Sequence, residues 1–357
     1  MKQVPVRDWQ FLRAPEYLEA HVTVSRGISD KLSDSALAKR IAAAYTKASE
    51  TEVGQNFWTD EFAKIKWDIH EVLVGSRIEA LTRMLFAPHT NDLLYGFENL
   101  SARLPSDDSA LQNLATKTLD ALIAFAEAIA AVRTDNPEDY SDPNYNPRRR
   151  ADETIKAIEA RLDIRLEFPN IYEWEPGLET KRGVASYRAV LSAYQGMRTA
   201  QIVQNRPVLE IGGGLGRAAY YASMFGIEDY TIIDIPMMGV AQAYFSGKTL
   251  GPDAISLYGE QQKSKIKLLP PSELFAANRQ YALVVNVDSF PEIADDMGAQ
   301  YMGHLSKHAD LLLSINHETR SPRTVRQIAF AAGGKSIFRQ PFWLRRGYVE
   351  ELFSFEK

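Results

Sequence analysis

A glycine-rich run near the middle of the chain has the residue types and spacing to hold a ligand. Residues 210–216 read EIGGGLG and stand where a short apolar run meets a helical stretch. Because side chains are absent there, backbone amides can approach a ligand closely. The next predicted strand ends near Asp234, at a distance suited to a carboxylate that accepts hydrogen bonds from ribose hydroxyls. Together these features predict a site for a ligand that contains a nucleoside.

The glycine run alone leaves the identity of that ligand open. Residues 214–219, GLGRAA, also satisfy the G-x-G-x-x-G/A pattern of dinucleotide sites, and a tight turn without a ligand is a third interpretation. Three observations favour S-adenosylmethionine. Glu210 stands two residues before the first glycine, no second nucleotide-binding half follows, and a terminal hairpin suits a sheet whose last strand is antiparallel. The competing functions are a methyltransferase, a nicotinamide-dependent oxidoreductase and a catalytically silent nucleoside-binding module.

The methyltransferase interpretation assigns a role to each part of the site. The glycines are predicted to lie against the methionyl and ribose portions of the cofactor, Asp234 against the ribose hydroxyls and Ile235 against adenine. Tyr187 and Arg188, on the helix before the glycine run, either close over the cofactor or pack against the sheet. The predicted cofactor residues are Tyr187, Arg188, Glu210, Gly212, Gly214, Gly216, Asp234, Ile235 and Asn286.

Polar side chains follow the fourth and fifth predicted strands. They are Asn286, Asp288, Ser289 and Glu292 after the fourth strand, and Asn316, His317 and Glu318 after the fifth. Both groups should lie beside the reacting methyl group, since chemistry in a doubly wound sheet happens beyond the carboxyl ends of the strands. A hydroxyl is a poor nucleophile until its proton leaves, and histidine is the usual proton acceptor near neutral pH. We therefore predict His317 as the general base, oriented by Glu318 or Asp288.

Other assignments of the catalytic groups stay open. His317 could instead be hydrogen-bonded for loop structure, and His70, on a predicted helix, is a second candidate for the base. The carboxylates of Asp288, Glu292 and Glu318 could hold a Mg²⁺ ion that acidifies the hydroxyl. They have no diagnostic metal spacing, however, so no residue is assigned as a metal ligand.

The elements that must position these residues form an alternating pattern. From about residue 166, short apolar runs alternate with helical stretches, the first of which is predicted from Gly183 to Val203. This alternation predicts a parallel sheet covered on both faces. The strand candidates are 207–211, Tyr230–Ile235, Ile266–Leu269, Tyr281–Val287 and Asp310–Ile315, with a closing antiparallel hairpin from Lys335–Gln340 and Tyr348–Phe355. The prediction is a Rossmann-like α/β fold, doubly wound, with a C-terminal antiparallel hairpin.

The first part of the chain reads as helical. Helical periodicity covers residues 36–48, 57–86, 111–129 and 151–162, and a polar, turn-rich linker spans 136–147. We predict a helical N-terminal domain over residues 1–165 and a cofactor-binding catalytic domain over 166–357. The helical domain should cover the open end of the sheet, exclude water and supply part of the acceptor pocket.

Several residues of the helical part have two interpretations. Arg148, Arg149 and Arg150 could attract a phosphorylated or carboxylated acceptor, although a solvated charge run is the simpler interpretation. The aromatic residues are core residues or line an acceptor pocket; they are Trp58, Trp67, Tyr95 and Phe97.

Composition limits the classes of function. The 357-residue chain carries a net charge of −5, which argues against a general nucleic-acid binder. It has no cysteine, so disulfides and thiolate chemistry are excluded. The first residues lack the apolar run of a signal peptide, and no stretch is apolar enough to span a bilayer. The expectation is a cytoplasmic enzyme with a small-molecule acceptor and no nucleic-acid or membrane partner; a homodimer stays open.

From about Leu166 onwards the chain resembles a family of sugar O-methyltransferases, which are class I enzymes with a helical N-terminal region. The matching segments are LEFPN (166–170), GVASYR (183–188), LEIGGGLG (209–216), DYTIIDIP (229–236), NVDSFPE (286–292) and SINHE (314–318). They cover about half of the chain. A looser match in the helical part involves WDIH (67–70) and LYGF (94–97).

The resemblance implies a class I methyltransferase fold and S-adenosylmethionine as cofactor. It also implies an acceptor hydroxyl on a sugar, a glycoside or a related natural product. The cofactor and the fold are more strongly implied than the acceptor, so a non-sugar acceptor with an oxygen, nitrogen or carbon nucleophile stays open.

Overall fold

The structure, a computed structural model, describes most of the chain. The described residues are 11–51, 64–104, 107–136, 138, 142, 148–276, 278–319 and 323–355. They form a mixed α/β fold with a large sheet in the C-terminal half and helices that pack on it.

The N-terminal half is mainly helical in its described residues. Its helices are α1 (Lys31–Ser49), α2 (Trp67–Val74), α3 (Ile78–Phe86), α4 (Asp108–Ala128) and α5 (Ala151–Leu162). One strand departs from the helical expectation: β1 (Val22–Arg26) pairs antiparallel with β2 (Glu173–Thr180), which in turn pairs with β3 (Gly183–Ala185). This small sheet therefore joins segments on both sides of residue 165.

Eight strands form the large sheet. They are β4 (Val208–Ile211), β5 (Tyr230–Ile233), β6 (Ile255–Ser256), β7 (Ile266–Leu269), β8 (Tyr281–Val287), β9 (Ala309–His317), β10 (Gly334–Pro341) and β11 (Tyr348–Phe355). Their order is β10-β11-β9-β8-β4-β5-β7-β6. Strands β4 to β9 pair in parallel, and β11 runs antiparallel between β9 and β10. The predicted parallel sheet with a closing antiparallel hairpin is confirmed.

The sheet is buried on both faces. On β8, Leu283 and Val285 pack into the core on one side, whereas Val284 packs with Met302 and Leu305 on the other. Apolar side chains on both faces explain why the strands read as continuous apolar runs. The covering helices are α6 (Tyr187–Val203), α7 (Arg217–Met224), α8 (Pro236–Leu250), α9 (Ser272–Ala276), α10 (Asp295–His308) and α11 (Val325–Ala331).

Two predicted helices begin or end differently from the expectation. The helix expected to begin at Gly183 begins at Tyr187, capped by the Ser186 hydroxyl, because Gly183 has a φ of +111° and pairs within β3. The helix expected over 57–86 divides into α2 and α3 at Gly75 and Ser76, the latter with a φ of +49°. Residues 57–63 of that prediction lie outside the described residues.

The helical half packs against helices that cover the large sheet and against the small sheet. Helix α1 lies against α8, and α4 lies against both β2 and α6. Of the helices in the described ranges, none is both long enough and apolar enough to cross a membrane.

Candidate functional site

A cavity of about 340 Å³ opens at the carboxyl ends of β4, β5 and β8. Its volume lies within the range of roughly 300–1,000 Å³ that is usual for small-molecule sites. We name it the loop cavity, after the glycine run at 212–214 that forms part of its wall. Because β5 and β8 flank β4 on opposite sides, the cavity lies at the switch point of the sheet, where ligands bind in open α/β folds.

The glycine run adopts backbone conformations that side chains disfavour. Gly212, Gly214 and Gly216 have φ values of +74°, +55° and +81°. A Cβ on Gly212 would lie 2.3 Å from Oγ of Ser289, whereas a Cβ on Gly214 would meet nothing within 4 Å. Gly214 lines the loop cavity, so its missing side chain leaves that space to a ligand.

Asp234 is held beside the glycine run. One of its carboxylate oxygens accepts from the backbone N–H of Ile235 at 2.9 Å, and the other accepts from Nε2 of Gln242 at 2.7 Å. The same Gln242 nitrogen donates to the carbonyl of Gly214 at 3.1 Å. Burial raises the pKa of Asp234 to about 7. The carboxylate therefore titrates close to neutral pH.

Glu210 lies at the end of β4 and is buried. Its carboxyl accepts a hydrogen bond from the Tyr230 hydroxyl at 3.1 Å. Burial raises the pKa of Glu210 to about 8, with a further contribution from the nearby charge of Asp234. Glu210 is therefore largely neutral at pH 7 and can donate as well as accept a hydrogen bond.

Asn286 lies behind the glycine run and forms hydrogen bonds with the backbone next to it. Its side chain is fully buried, and its amide donates to the carbonyl of Ile211 at 2.9 Å. The hydroxyl of Ser289 donates to the same carbonyl at 2.9 Å. Asn286 also accepts from Asn316 at 2.9 Å, which ties β8 to β9. These bonds position the glycine run.

The structure brings together most of the predicted cofactor residues. Those that line the loop cavity are Arg188, Glu210, Gly212, Gly214, Asp234 and Ile235. Three others are absent from the described lining: Gly216 is the N-cap of α7, Asn286 lies behind the loop and Tyr187 lines a second cavity.

Asp288 is the centre of a charged cluster at the rim of the loop cavity. Its carboxylate accepts from Arg345 at 2.9 Å, from Arg188 at 3.4 Å and from the hydroxyl of Tyr348. Burial alone would raise the pKa of Asp288, but these three partners outweigh it and lower the pKa below its usual value. Its φ of +62° is a strained conformation of the kind that clusters at functional sites.

His317 and Glu318 do not join that cluster. The His317 ring packs edge-on against the Tyr348 ring at 5.6 Å, and its Nδ1 lies 3.5 Å from the Thr319 hydroxyl. Glu318 pairs with Arg339 of β10 at 2.8 Å. Neither residue is among those described as lining the loop cavity. The predicted arrangement, in which Glu318 or Asp288 orients His317 towards the cofactor, is not seen, because β11 pairs with the end of β9 and its Tyr348 stands beside His317.

The other candidates from the helical half also lie apart from the loop cavity, with one exception. Nδ1 of His70 is 2.8 Å from the Tyr45 hydroxyl, so this ring is held within the helical region. Arg149 pairs with Asp135, and Arg150 pairs with Glu19. The exception is Phe97, which lines the loop cavity, while Trp58 lies outside the described residues.

The possible magnesium site gains no support. Within the described parts of the chain, no group of three or more histidine, aspartate or glutamate side chains is arranged to hold a metal ion. Of the three proposed ligands, Glu318 pairs with Arg339, and Asp288 is held by two arginines.

A buried ion cluster joins the helical half to the glycine run. Arg217 follows Gly216 directly and donates to Glu98 at 3.1 Å and to Glu175 at 2.5 Å. All three charged side chains are buried, and both Arg217 and Glu98 line the loop cavity. This cluster is not predicted by the sequence. The one available signal was an arginine directly after the glycine run, since nothing in the sequence marks Glu98 or Glu175 as its partners.

A second cavity of about 420 Å³ adjoins the loop cavity, and Arg188 and Arg345 line both. We name it the basic cavity. The helical half contributes His89 and Lys117 to its wall, and β2 contributes Trp174. The pKa of Lys117 is lowered to about 8, first by burial and then by the charges of Arg345 and Arg188.

The strand arrangement β7-β5-β4-β8-β9, with β11 antiparallel beside β9, is the Rossmann-like arrangement of class I methyltransferases. No protein-family model matches the chain. No curated protein matches it either.

Solved structures of methyltransferases show distant similarity. The CcbJ methyltransferase from Streptomyces caelestis is 13% identical with a TM-score of 0.36, and the match covers 46% of this chain and 90% of that chain. The glycopeptide N-methyltransferase MtfA in complex with S-adenosyl-L-homocysteine is 12% identical with a TM-score of 0.38, over 46% and 90%. Magnesium protoporphyrin IX methyltransferase from Synechocystis PCC 6803 is 15% identical with a TM-score of 0.34, over 47% and 81%. Similarities at this level say nothing about the acceptor or the reaction.

Proposed function

We propose that this chain is an S-adenosylmethionine-dependent methyltransferase that acts on a hydroxyl of a small molecule, such as a sugar or a glycoside. One observation carries the proposal. The open Gly214 backbone, the carboxylate of Asp234 and the carboxyl of Glu210 line one cavity at the switch point of a sheet with the class I methyltransferase strand order. This is where such a fold binds the nucleoside part of a ligand.

The residues of the loop cavity fit the parts of this cofactor. The open space at Gly214 admits a group close to the backbone, and the carboxylate of Asp234 can accept from ribose hydroxyls. Ile235 and Met238 give apolar surface beside Asp234 for a purine ring. When bound, S-adenosylmethionine supplies an electrophilic methyl group on its sulfonium centre.

The chain itself must hold the acceptor and receive its proton. Methyl transfer from a sulfonium depends chiefly on the alignment of the nucleophile, so positioning supplies much of the rate. A hydroxyl also needs a proton acceptor in its ionised form. Asp288 lines the loop cavity, and Arg345 and Arg188 keep it ionised at neutral pH.

We assign the proton-acceptor role to Asp288 in place of His317. The lowered pKa makes Asp288 a modest base, but it stands beside the cavity, whereas His317 packs on Tyr348 and does not line the described wall. In this role Arg188 and Arg345 stabilise the ionised carboxylate before transfer, and the Tyr348 hydroxyl orients one of its oxygens.

A product analysis tests the proposal. The full chain is incubated with S-adenosylmethionine and a panel of sugars, glycosides and other hydroxylated compounds, and mass spectrometry follows S-adenosylhomocysteine and the methylated product. We expect S-adenosylhomocysteine to form with at least one acceptor and the new methyl group to sit on oxygen. A product methylated on nitrogen or carbon would overturn the hydroxyl assignment. Activity that a chelator abolishes and magnesium restores would support metal assistance in place of Asp288 alone.

A further inference from the structure

We propose that the basic cavity binds an oxyanion of the acceptor, a carboxylate or a phosphate group, through Lys117, Arg188 and Arg345. This proposal rests on the proposed function, since it names the class of molecule that is methylated. The acceptor would be a small acidic molecule with its anionic group in the basic cavity and its reacting hydroxyl towards the loop cavity.

The charges around the basic cavity are one-sided. Lys117, Arg188 and Arg345 line it, and no aspartate or glutamate is found among the described lining residues. Asp288 offsets part of this charge, but it lies on the side of the loop cavity. Three cations beside one carboxylate leave a surplus of about two positive charges. Such a surplus in a concave, half-buried wall favours an anionic ligand.

The cations also have hydrogen-bond donors to spare. Each guanidinium has five N–H donors, and the described contacts of Arg188 and Arg345 use one side-chain nitrogen of each on Asp288. Nζ of Lys117 lies over the Tyr187 ring at 4.5 Å, and none of the described carboxylates pairs with it. A half-buried ammonium without a counter-charge is costly, so an anion in this cavity would stabilise it.

Another part of the wall of the basic cavity is aromatic. His89 and Trp174 line it with their rings 5.9 Å apart, and the buried Nδ1 of His89 has no hydrogen-bond partner among the residues that the structure describes. Trp174 has a φ of +60°, a strained conformation for a bulky residue within β2. An unsatisfied ring nitrogen and a strained aromatic residue on one cavity wall are features of a binding surface.

The position of the arginines connects the two cavities. Because Arg188 and Arg345 line both, an anion held by them lies next to the space assigned to the cofactor. Recognition of the acceptor and orientation of Asp288 would then depend on the same two side chains.

Anion titrations of the full chain test this proposal. Sodium phosphate and sodium acetate are titrated, with sodium chloride holding the ionic strength constant, and binding is followed by calorimetry with and without S-adenosylhomocysteine. We expect saturable binding of at least one of the two anions, and the tighter one identifies the oxyanion. Lys117→Met should weaken anion binding by about tenfold or more, the effect of losing a charged hydrogen bond. Lys117→Arg should retain it.

The matched control is Lys156→Met, which removes an exposed lysine of α5 that is not among the described lining residues of either cavity. Anion binding should be unchanged in this variant, and S-adenosylhomocysteine affinity should be unchanged in all three. Absence of saturable anion binding, or equal weakening by Lys117→Met and Lys156→Met, overturns the acceptor-site proposal while leaving the methyltransferase proposal intact. Anion binding without any S-adenosylhomocysteine binding would instead overturn the proposed function.

Discussion

The two adjoining cavities differ in the charged residues that line them and in the parts of the chain that form them. The loop cavity is built mainly at the ends of sheet strands, and its wall includes the acidic residues Glu98, Glu210, Asp234, Asp288, Glu292 and Asp296. The basic cavity is built largely by the helical half, and its described charged residues are cations. A sulfonium cofactor is cationic at its reacting centre, whereas the proposed acceptor is anionic. If both proposals hold, each ligand would bind in the cavity whose charge is opposite to its own.

We expect the largest loss of turnover from a change in the charged cluster around Asp288, which lies between the two cavities. Asp288→Asn should lower turnover about a hundredfold or more, because the proton acceptor is removed, while the affinity for S-adenosylhomocysteine changes little. His317→Ala, for which the sequence predicts a similar loss, should now retain most of its turnover. Steady-state kinetics with the acceptor found by product analysis measure both variants. A severe loss in His317→Ala with near-normal turnover in Asp288→Asn would reverse the assignment.

The pH dependence of S-adenosylhomocysteine binding tests the role of Asp234 in the loop cavity. Ribose hydroxyls donate to the ionised form of Asp234, so binding lowers its pKa from about 7. Affinity for S-adenosylhomocysteine should therefore rise as the pH increases through about 7 and level off above it. Asp234→Asn should weaken binding by about 1–3 kcal/mol and remove this pH dependence. Calorimetry between about pH 6 and pH 8 measures both, and an unchanged pH profile in the variant would assign the titration to another group, such as Glu210.

Two Gly→Ala variants, one in the glycine run and one in an ordinary turn, should show the smallest changes in stability and cofactor affinity. Gly214 and Gly226 both have positive φ, +55° and +88°, and a Cβ on either would meet nothing within 4 Å. Each Gly→Ala variant should lose about 1–2 kcal/mol of unfolding free energy through backbone strain. Only Gly214→Ala should also weaken S-adenosylhomocysteine binding, by about tenfold, because its methyl group enters the loop cavity. Equal cofactor affinity in the two variants would remove Gly214 from the site.

The parts of the molecule that sequence could predict are those encoded locally. The glycine run, the carboxylate of Asp234 and the strands of the sheet each depend on short segments, and the expected strands Ile266–Leu269 and Tyr281–Val287 match the observed bounds. Apolar runs and glycines report local backbone geometry directly. Much of the wall of the loop cavity could therefore be predicted, whereas its role as a cofactor site stays a prediction.

The parts that could not be predicted depend on long-range packing. Lys117 of α4 and Arg345 of the β10–β11 turn lie 228 positions apart in the chain. Both line the basic cavity because the chain folds α4 onto α6. His317 is the last residue of β9, which runs two residues beyond its predicted end, and pairing of β11 with β9 brings Tyr348 beside it. A position at the end of a strand predicts the edge of the sheet at which a residue lies. It does not predict which side chain packs against that residue.

Calorimetry of S-adenosylhomocysteine and NADH with the same preparation of the full chain tests whether the loop cavity binds the methyltransferase cofactor. We expect saturable binding of S-adenosylhomocysteine at one site, lost or weakened in Asp234→Asn, and no comparable binding of NADH. Saturable binding of NADH with no response to S-adenosylhomocysteine would contradict it and would support the dinucleotide interpretation of residues 214–219.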